Sequence, residues 1–531
     1  MAVTVPMAWG LLSVLAGVAS WQPAASAIVA HSFAVHPQGS NNASTLNVDK
    51  WYAETASTHT QALESRSDPH HGEPHYEETH HEDPHHGEAA GEPMFRGKYG
   101  HQNDGHNPMT KVIALILFGT VAWVISMFYF VNFPDEDIQF ATWCTLSQMI
   151  SIFIAILIFG ASTGTLIDFA GLEVHHAGTP PIKTLVVGFV RWIVAYIVLQ
   201  VAFVALRDKP FKLLCFANVA GHVVGFCAID AFGVMLHLPI FSESFWTSLL
   251  GVVWSIGVLL AVALLTQKIR TRFFRNPEWS EHKTEEWVER CDEAETESMG
   301  LAIGLLLSLM FRFVITGTLP MVHGSPRFKT DHEVLALFAV SLSLLPFVVG
   351  SSFLEDILKD MGSSEVVLWL AGILMEAFSM TAGWCTLYWG YWWYYVLMEN
   401  EHGAGGMIGM RIVLAILFSA IVLFSIVAID FAADRTESAR LEKGLRSLLK
   451  MFALLMGLAW ESTFAIGIES FADEFKSNLH TLVINIVVLG MCLLVLPAWS
   501  YYIVPHTQRP EKLNQSAKHA KKHSQPEVHT A

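Results

Sequence analysis

Seven ionisable side chains stand inside stretches of sequence that are otherwise apolar: Arg191, His222, Asp230, Arg312, Glu376, Glu461 and Glu469. Each costs about 2.5–3.5 kcal/mol to place at bilayer depth, so such groups persist where they face the interior of a bundle and find partners. Asn218 precedes His222 by four residues and therefore shares its helical face. Both signs of charge are present. The expectation is that Arg191 and Arg312 neutralise two of Glu376, Glu461 and Asp230. Such groups serve either as fixed ion pairs that hold helices in place or as stations on an ion or proton pathway.

A second set lies nearer the N-terminus. His70, His71, His75, His80, His81, His85 and His86 alternate with acidic residues, and the block Asp68-Pro69-His70-His71-Gly72-Glu73 repeats at 83–88. Imidazole and carboxylate ligands suit Zn²⁺. The loose spacing fits weak, multi-site capture rather than one tetrahedral centre. The same histidines would also charge in an acidic lumen, and a passive solvated tail is a third reading. The composition of this tail is similar to that of the ZIP zinc importers. Their paired intramembrane motifs are missing, however: no H-E-x-x-H or H-x-x-x-D pair stands in an apolar segment, and His222 and Asp230 are eight apart. Membership is not assigned.

The elements that must position these groups follow from composition. The chain has 531 residues, 52% hydrophobic and 15% charged, against roughly 25% charged in soluble domains. Residues 1–27 read as a signal peptide, with a short apolar run and an Ala25-Ser26-Ala27 cleavage pattern. Residues 28–109 read as a disordered His-rich segment carrying a glycosylation sequon at Asn42. Residues 110–505 read as an all-α polytopic membrane bundle. Eleven apolar segments of about the length a bilayer requires fall at 111–133, 139–166, 183–206, 213–236, 245–267, 299–318, 334–353, 366–397, 410–431, 446–468 and 479–504. Between the fifth and sixth, 268–298 reads as an amphipathic helix with Trp279 and Trp287 on one side, lying on the membrane or against the bundle. Residues 506–531 form a basic tail.

Orientation follows from the basic residues. With the N-terminus extracytoplasmic, Arg207, Lys209, the run at 268–275, the stretch at 435–450 and the tail all fall on the cytoplasmic side. Segments four and ten share a pattern, Ile229-Asp230-Ala231-Phe232 against Ile468-Glu469-Ser470-Phe471, with His222 or Glu461 eight residues before the acid. This suggests two parallel halves. The crowd of aromatics from Trp384 to Tyr395 suggests an interfacial belt.

The net charge of -16 resides largely in the N-terminal segment and the central loop, so no nucleic-acid partner is expected. The six cysteines avoid the extracytoplasmic segment and imply no disulfide framework. No P-loop or G-x-S-x-G appears, and enzymatic activity is not expected. The expected function is a transporter or channel for a small cation or proton in a membrane of the secretory route, with the bilayer as its surroundings and Zn²⁺ at the His-rich segment. The alternative is a non-transport scaffold or receptor.

Overall fold

The computed structural model describes residues 108–170, 182–274, 279, 281–320, 329–397, 404–472, 475 and 477–508. The signal peptide, the seven histidines of the tail, Asn42, the loop with Glu173, His175 and His176, and the end of the basic tail lie outside them.

Eleven long helices follow one another: α1 (Pro108–Val131), α2 (Glu136–Ala170), α3 (Ile182–Ala205), α4 (Pro210–Leu236), α5 (Phe245–Phe273), α6 (Glu281–Thr316), α7 (Asp331–Asp360), α8 (Glu365–Leu397), α9 (Ala404–Asp434), α10 (Ala439–Ala472) and α11 (Ser477–Ala498). No strand occurs among the described residues. Ten of these helices are long and apolar enough to cross a membrane, and α1 adds the apolar stretch Leu117–Val131. The chain fits an integral, multi-pass membrane protein of the all-α class. The outward face of α3 supports this: Val186, Val190, Ile193, Val194, Ile197 and Val201 are 48–61% exposed. A continuous aliphatic stripe of this kind suits lipid rather than water.

Helix boundaries have local causes. Pro210 opens α4 at a position where no amide donor is needed. Ser244 with Thr247, and Thr330 with Glu333, close reciprocal capping boxes at the starts of α5 and α7. Gly362 follows α7 at φ 65°, a conformation that only glycine adopts without strain.

The even-numbered helices form a closed circuit. α2 packs on α4, α4 on α6, α6 on α8, α8 on α10, and α10 on α2. The odd-numbered helices lie outside it: α3 on α4, α5 on α6, α7 on α8 and α10, α9 on α10, α1 on α9, and α11 on α2. Burial divides the same way. The apolar windows of α4 and α6 are 78% and 83% buried, those of α3 and α11 only 28% and 11%.

Close approach within the circuit depends on glycine. A Cβ on Gly221 would lie 3.0 Å from the carbonyl oxygen of Ala294, and one on Gly300 would lie 2.8 Å from Cβ of Glu376. Gly221 with Gly225, and Gly300 with Gly304, are small-residue pairs spaced by four, the pattern that lets membrane helices touch backbone to backbone.

Ion pairs gather the starts of the even helices at one end, the charged end. Lys443 of α10 reaches Glu355 and Asp356 of α7 at 2.9 and 3.2 Å, and Arg446 reaches Asp137 of α2 at 2.8 Å. Each exposed pair contributes about 0–1 kcal/mol. A buried network does more. Arg270 of α5 donates to both oxygens of Glu295 of α6 at 2.9 and 3.0 Å, and Tyr196 and Gln200 of α3 donate to the same carboxylate.

Two expectations need correction. The segment 281–298 is the first half of α6, continuous with the sixth span, rather than a separate surface helix. Trp279 and Trp287 do meet, with ring centroids 5.9 Å apart, but Trp287 is 3% exposed and donates to the carbonyl of Phe203. The aromatics of α8 are not all a belt, since Trp384, Tyr388, Tyr391 and Trp392 are buried within the bundle, while Trp389, Trp393, Tyr394 and Tyr395 keep some exposure.

Candidate functional site

Each of the five inner helices carries a polar side chain several turns in from the charged end: Gln148 from α2, His222 from α4, Glu297 from α6, Glu376 from α8 and Lys450 from α10, the last with its side chain 47% exposed. Four of them stand eleven or twelve residues into their helices, counting from Glu136, Pro210, Glu365 and Ala439. At about 1.5 Å per residue this is a depth of ~17 Å. A cavity of about 140 Å³ is lined by Cys144, Ser147, Gln148, Ser151, Asn218, His222, Glu297 and Thr507, and so by three of the five; Glu376 and Lys450 do not line it.

His222 is 1% exposed. Its Nδ1 lies 2.6 Å from the carbonyl oxygen of Asn218. A carbonyl only accepts, so Nδ1 carries the proton, which leaves Nε2 with its lone pair in the neutral ring. That Nε2 is buried without a hydrogen-bond partner. Glu376 is within electrostatic reach of His222. Lys450 donates to Oε2 of Glu376 at 3.1 Å, while Oε1 is buried and unpartnered. Glu297 lies within reach of Lys450 and Glu376. Thr145 Oγ1 and Gln148 Nε2 are further unpartnered buried atoms on α2. Buried polar atoms are satisfied almost without exception, so a cluster of unpaired ones beside a polar cavity is a place for water or an ion. Formally the group holds two carboxylates and one ammonium, an excess of one negative charge that a proton or a monovalent cation would balance.

The other candidate residues fall elsewhere. Arg191 pairs with Asp230 and Thr163 and lies 4.4 Å over the Phe159 ring, tying α2, α3 and α4 together. Arg312 has no carboxylate partner among the described residues. It is 2% exposed and stacks 3.5 Å over the ring of Tyr388. The expectation that both arginines neutralise membrane carboxylates therefore holds for Arg191 alone. Glu461 is half-buried beside Arg411 of α9, which donates to the carbonyl of Ser462 at 3.2 Å. Glu469 is exposed and joins neither group. Asp230 and Glu469, aligned in sequence, thus sit in unlike surroundings.

Between Lys450 and Glu461, α10 presents Met451, Ala453, Leu454, Leu455, Met456, Leu458 and Ala459, all 3% exposed or less. Along α10, an apolar stretch therefore lies between Lys450 and the group around Arg411.

No family model matches the chain, and no curated protein or solved structure is significantly similar to it. The reading of the site rests on its own geometry.

Sequence reasoning named Asn218, His222 and Glu376 but missed Gln148, Glu297 and Lys450. Glu297 falls in the segment 268–298, and Lys450 in the basic stretch 435–450 at the edge of the tenth apolar segment, where charge is ordinary. The glycine pairs Gly221–Gly225 and Gly300–Gly304 were the available signal, since they mark α4 and α6 as helices with close neighbours on two sides.

Proposed function

We infer that this protein moves protons or a small monovalent cation across a membrane, and that His222, Glu376, Glu297 and Lys450 form its binding station. The observation that supports the reading is a cavity lined by polar side chains of α2, α4 and α6, with the Glu376–Lys450 pair of α8 and α10 within electrostatic reach of the His222 and Glu297 that line it. The excess negative charge favours a cation over an anion. The apolar stretch of α10 beyond Lys450 favours alternating access over a continuous pore. The distribution of basic residues directs the charged end, and hence the cavity, to the cytoplasm, with the N-terminus on the opposite side.

The test is flux in proteoliposomes under an imposed proton, Na⁺ or K⁺ gradient. The parent moves one of these ions, Glu376→Gln does not, and the exposed variant Glu469→Gln behaves as the parent. Absence of flux of all three from folded parent protein would falsify the reading.

A further inference from the structure

At the charged end, three carboxylates from two helices converge away from the cavity. Asp137 stands in the first turn of α2, and Asp430 and Asp434 lie one turn apart at the end of α9. One oxygen from each falls within 4.8 Å of the others. Asp430 is 7% exposed, and its buried Oδ1 has no hydrogen-bond partner. The charged groups facing it are Asp135, Asp137, Asp434 and one cation, Arg446. Arg446 donates to Asp137 at 2.8 Å and to Glu442 at 3.1 Å, and stays 3.9 Å from Asp430. Arg435 is turned onto the Phe431 ring, 3.7 Å from its centroid. The placement is unfavourable on a second count, because the C-terminal end of a helix already carries partial negative charge. Four aspartates thus face one guanidinium, and the most deeply buried of them has an oxygen that no donor reaches.

We propose that Asp137, Asp430 and Asp434 form a site for a hard divalent cation, Ca²⁺ or Mg²⁺, which clamps α2 to α9. An all-oxygen donor set selects such ions over Zn²⁺ or Cu²⁺. Asp137 and Asp434 are exposed and give access from solvent, while Asp430 anchors the ion from below. Asp135 accepts the backbone N–H groups of Asp137 and Ile138 at 2.9 and 3.3 Å, which fixes the first turn of α2 and so positions Asp137. The ion competes with Arg446 for Asp137.

The test is calorimetric titration of the full-length protein in detergent with Ca²⁺, an ion that the imidazoles of the His-rich segment bind poorly. The expected result is one saturable site, weakened roughly ten- to hundred-fold in Asp430→Asn and in Asp434→Asn, unchanged in Glu376→Gln, and tightened in Arg446→Gln. Elution profile and thermal unfolding report folding. If Asp430→Asn does not fold, Asp434→Asn, whose side chain is exposed, decides the matter. No saturable binding by folded parent, parent-like binding in the aspartate variants, or binding lost only in Glu376→Gln would each overturn the proposal.

Discussion

Lys450 reaches across the α8–α10 crossing to place Nζ 3.1 Å from Oε2 of Glu376, yet the lysine side chain is 47% exposed and the glutamate 2%. Solvent thus penetrates three turns along α10 and stops at a carboxylate. The two groups should be energetically coupled. A double-mutant cycle of Glu376→Gln and Lys450→Gln, measured by denaturant unfolding, is expected to give a coupling of about 0.5–3 kcal/mol. A value of zero would mean that solvent screens the pair completely.

His222 offers a sharper test of the station. Its Nδ1 proton is committed to Asn218 and its Nε2 has no protein partner. His222→Phe removes the Nε2 lone pair together with the Nδ1–H donor to the Asn218 carbonyl. Flux should be lost, as expected for an intramembrane relay group, in protein whose elution profile shows that it still folds.

The Arg191–Asp230 pair should behave in the opposite way. Asp230→Asn leaves an arginine that is 8% exposed without its counter-charge. It should cost roughly 3–5 kcal/mol of stability, and Arg191→Met/Asp230→Leu should recover most of this. Flux per folded molecule should be retained in the double variant, which separates a clasp from a pathway.

Gly300→Ala drives a methyl group against Glu376. Overpacking of this kind costs about 1–3 kcal/mol, and it should also displace Glu376 and lower flux. Gly257→Ala, at a position with nothing within 4 Å, is the control and should be close to neutral.

Cys144 lines the cavity and Cys385 is fully buried. A membrane-impermeant maleimide applied to oriented vesicles should modify Cys144 from the charged end only and leave Cys385 intact. Cys144→Ser removes the cavity label. Labelling from the opposite face would contradict a barrier at the apolar stretch Leu454–Leu458.

The eleven helices were legible because a run of about twenty apolar residues reads the same in any packing arrangement. Which of them lie inside was not. Helices such as α4 and α3 are apolar all round, so periodicity carries no inward direction, and only the glycine pairs on α4 and α6 hinted at it. Arg191 with Asp230 was legible because opposite charges in apolar segments seek one another. Lys450 was not: its neighbours Arg446 and Lys443 are ordinary loop-end cations, and the residue one turn deeper looks like one of them. The continuity of α6 through Glu295 and Glu297 was hidden for the same reason, since acidic residues at helical spacing resemble a solvated surface.

α11 is the least buried of the spans, 11% across its apolar window, but its far extremity is held firmly. Past Pro497 the chain widens into a π-helical turn, Trp499–Ile503, and Trp499 donates its indole N–H to Ser147 on α2. His506 stacks on Trp143 at 4.5 Å, and Thr507 then forms part of the cavity wall. The outermost helix is therefore a lever with its fulcrum at Trp499. A displacement of α11 would be felt at Trp499 and at the cavity wall beside it.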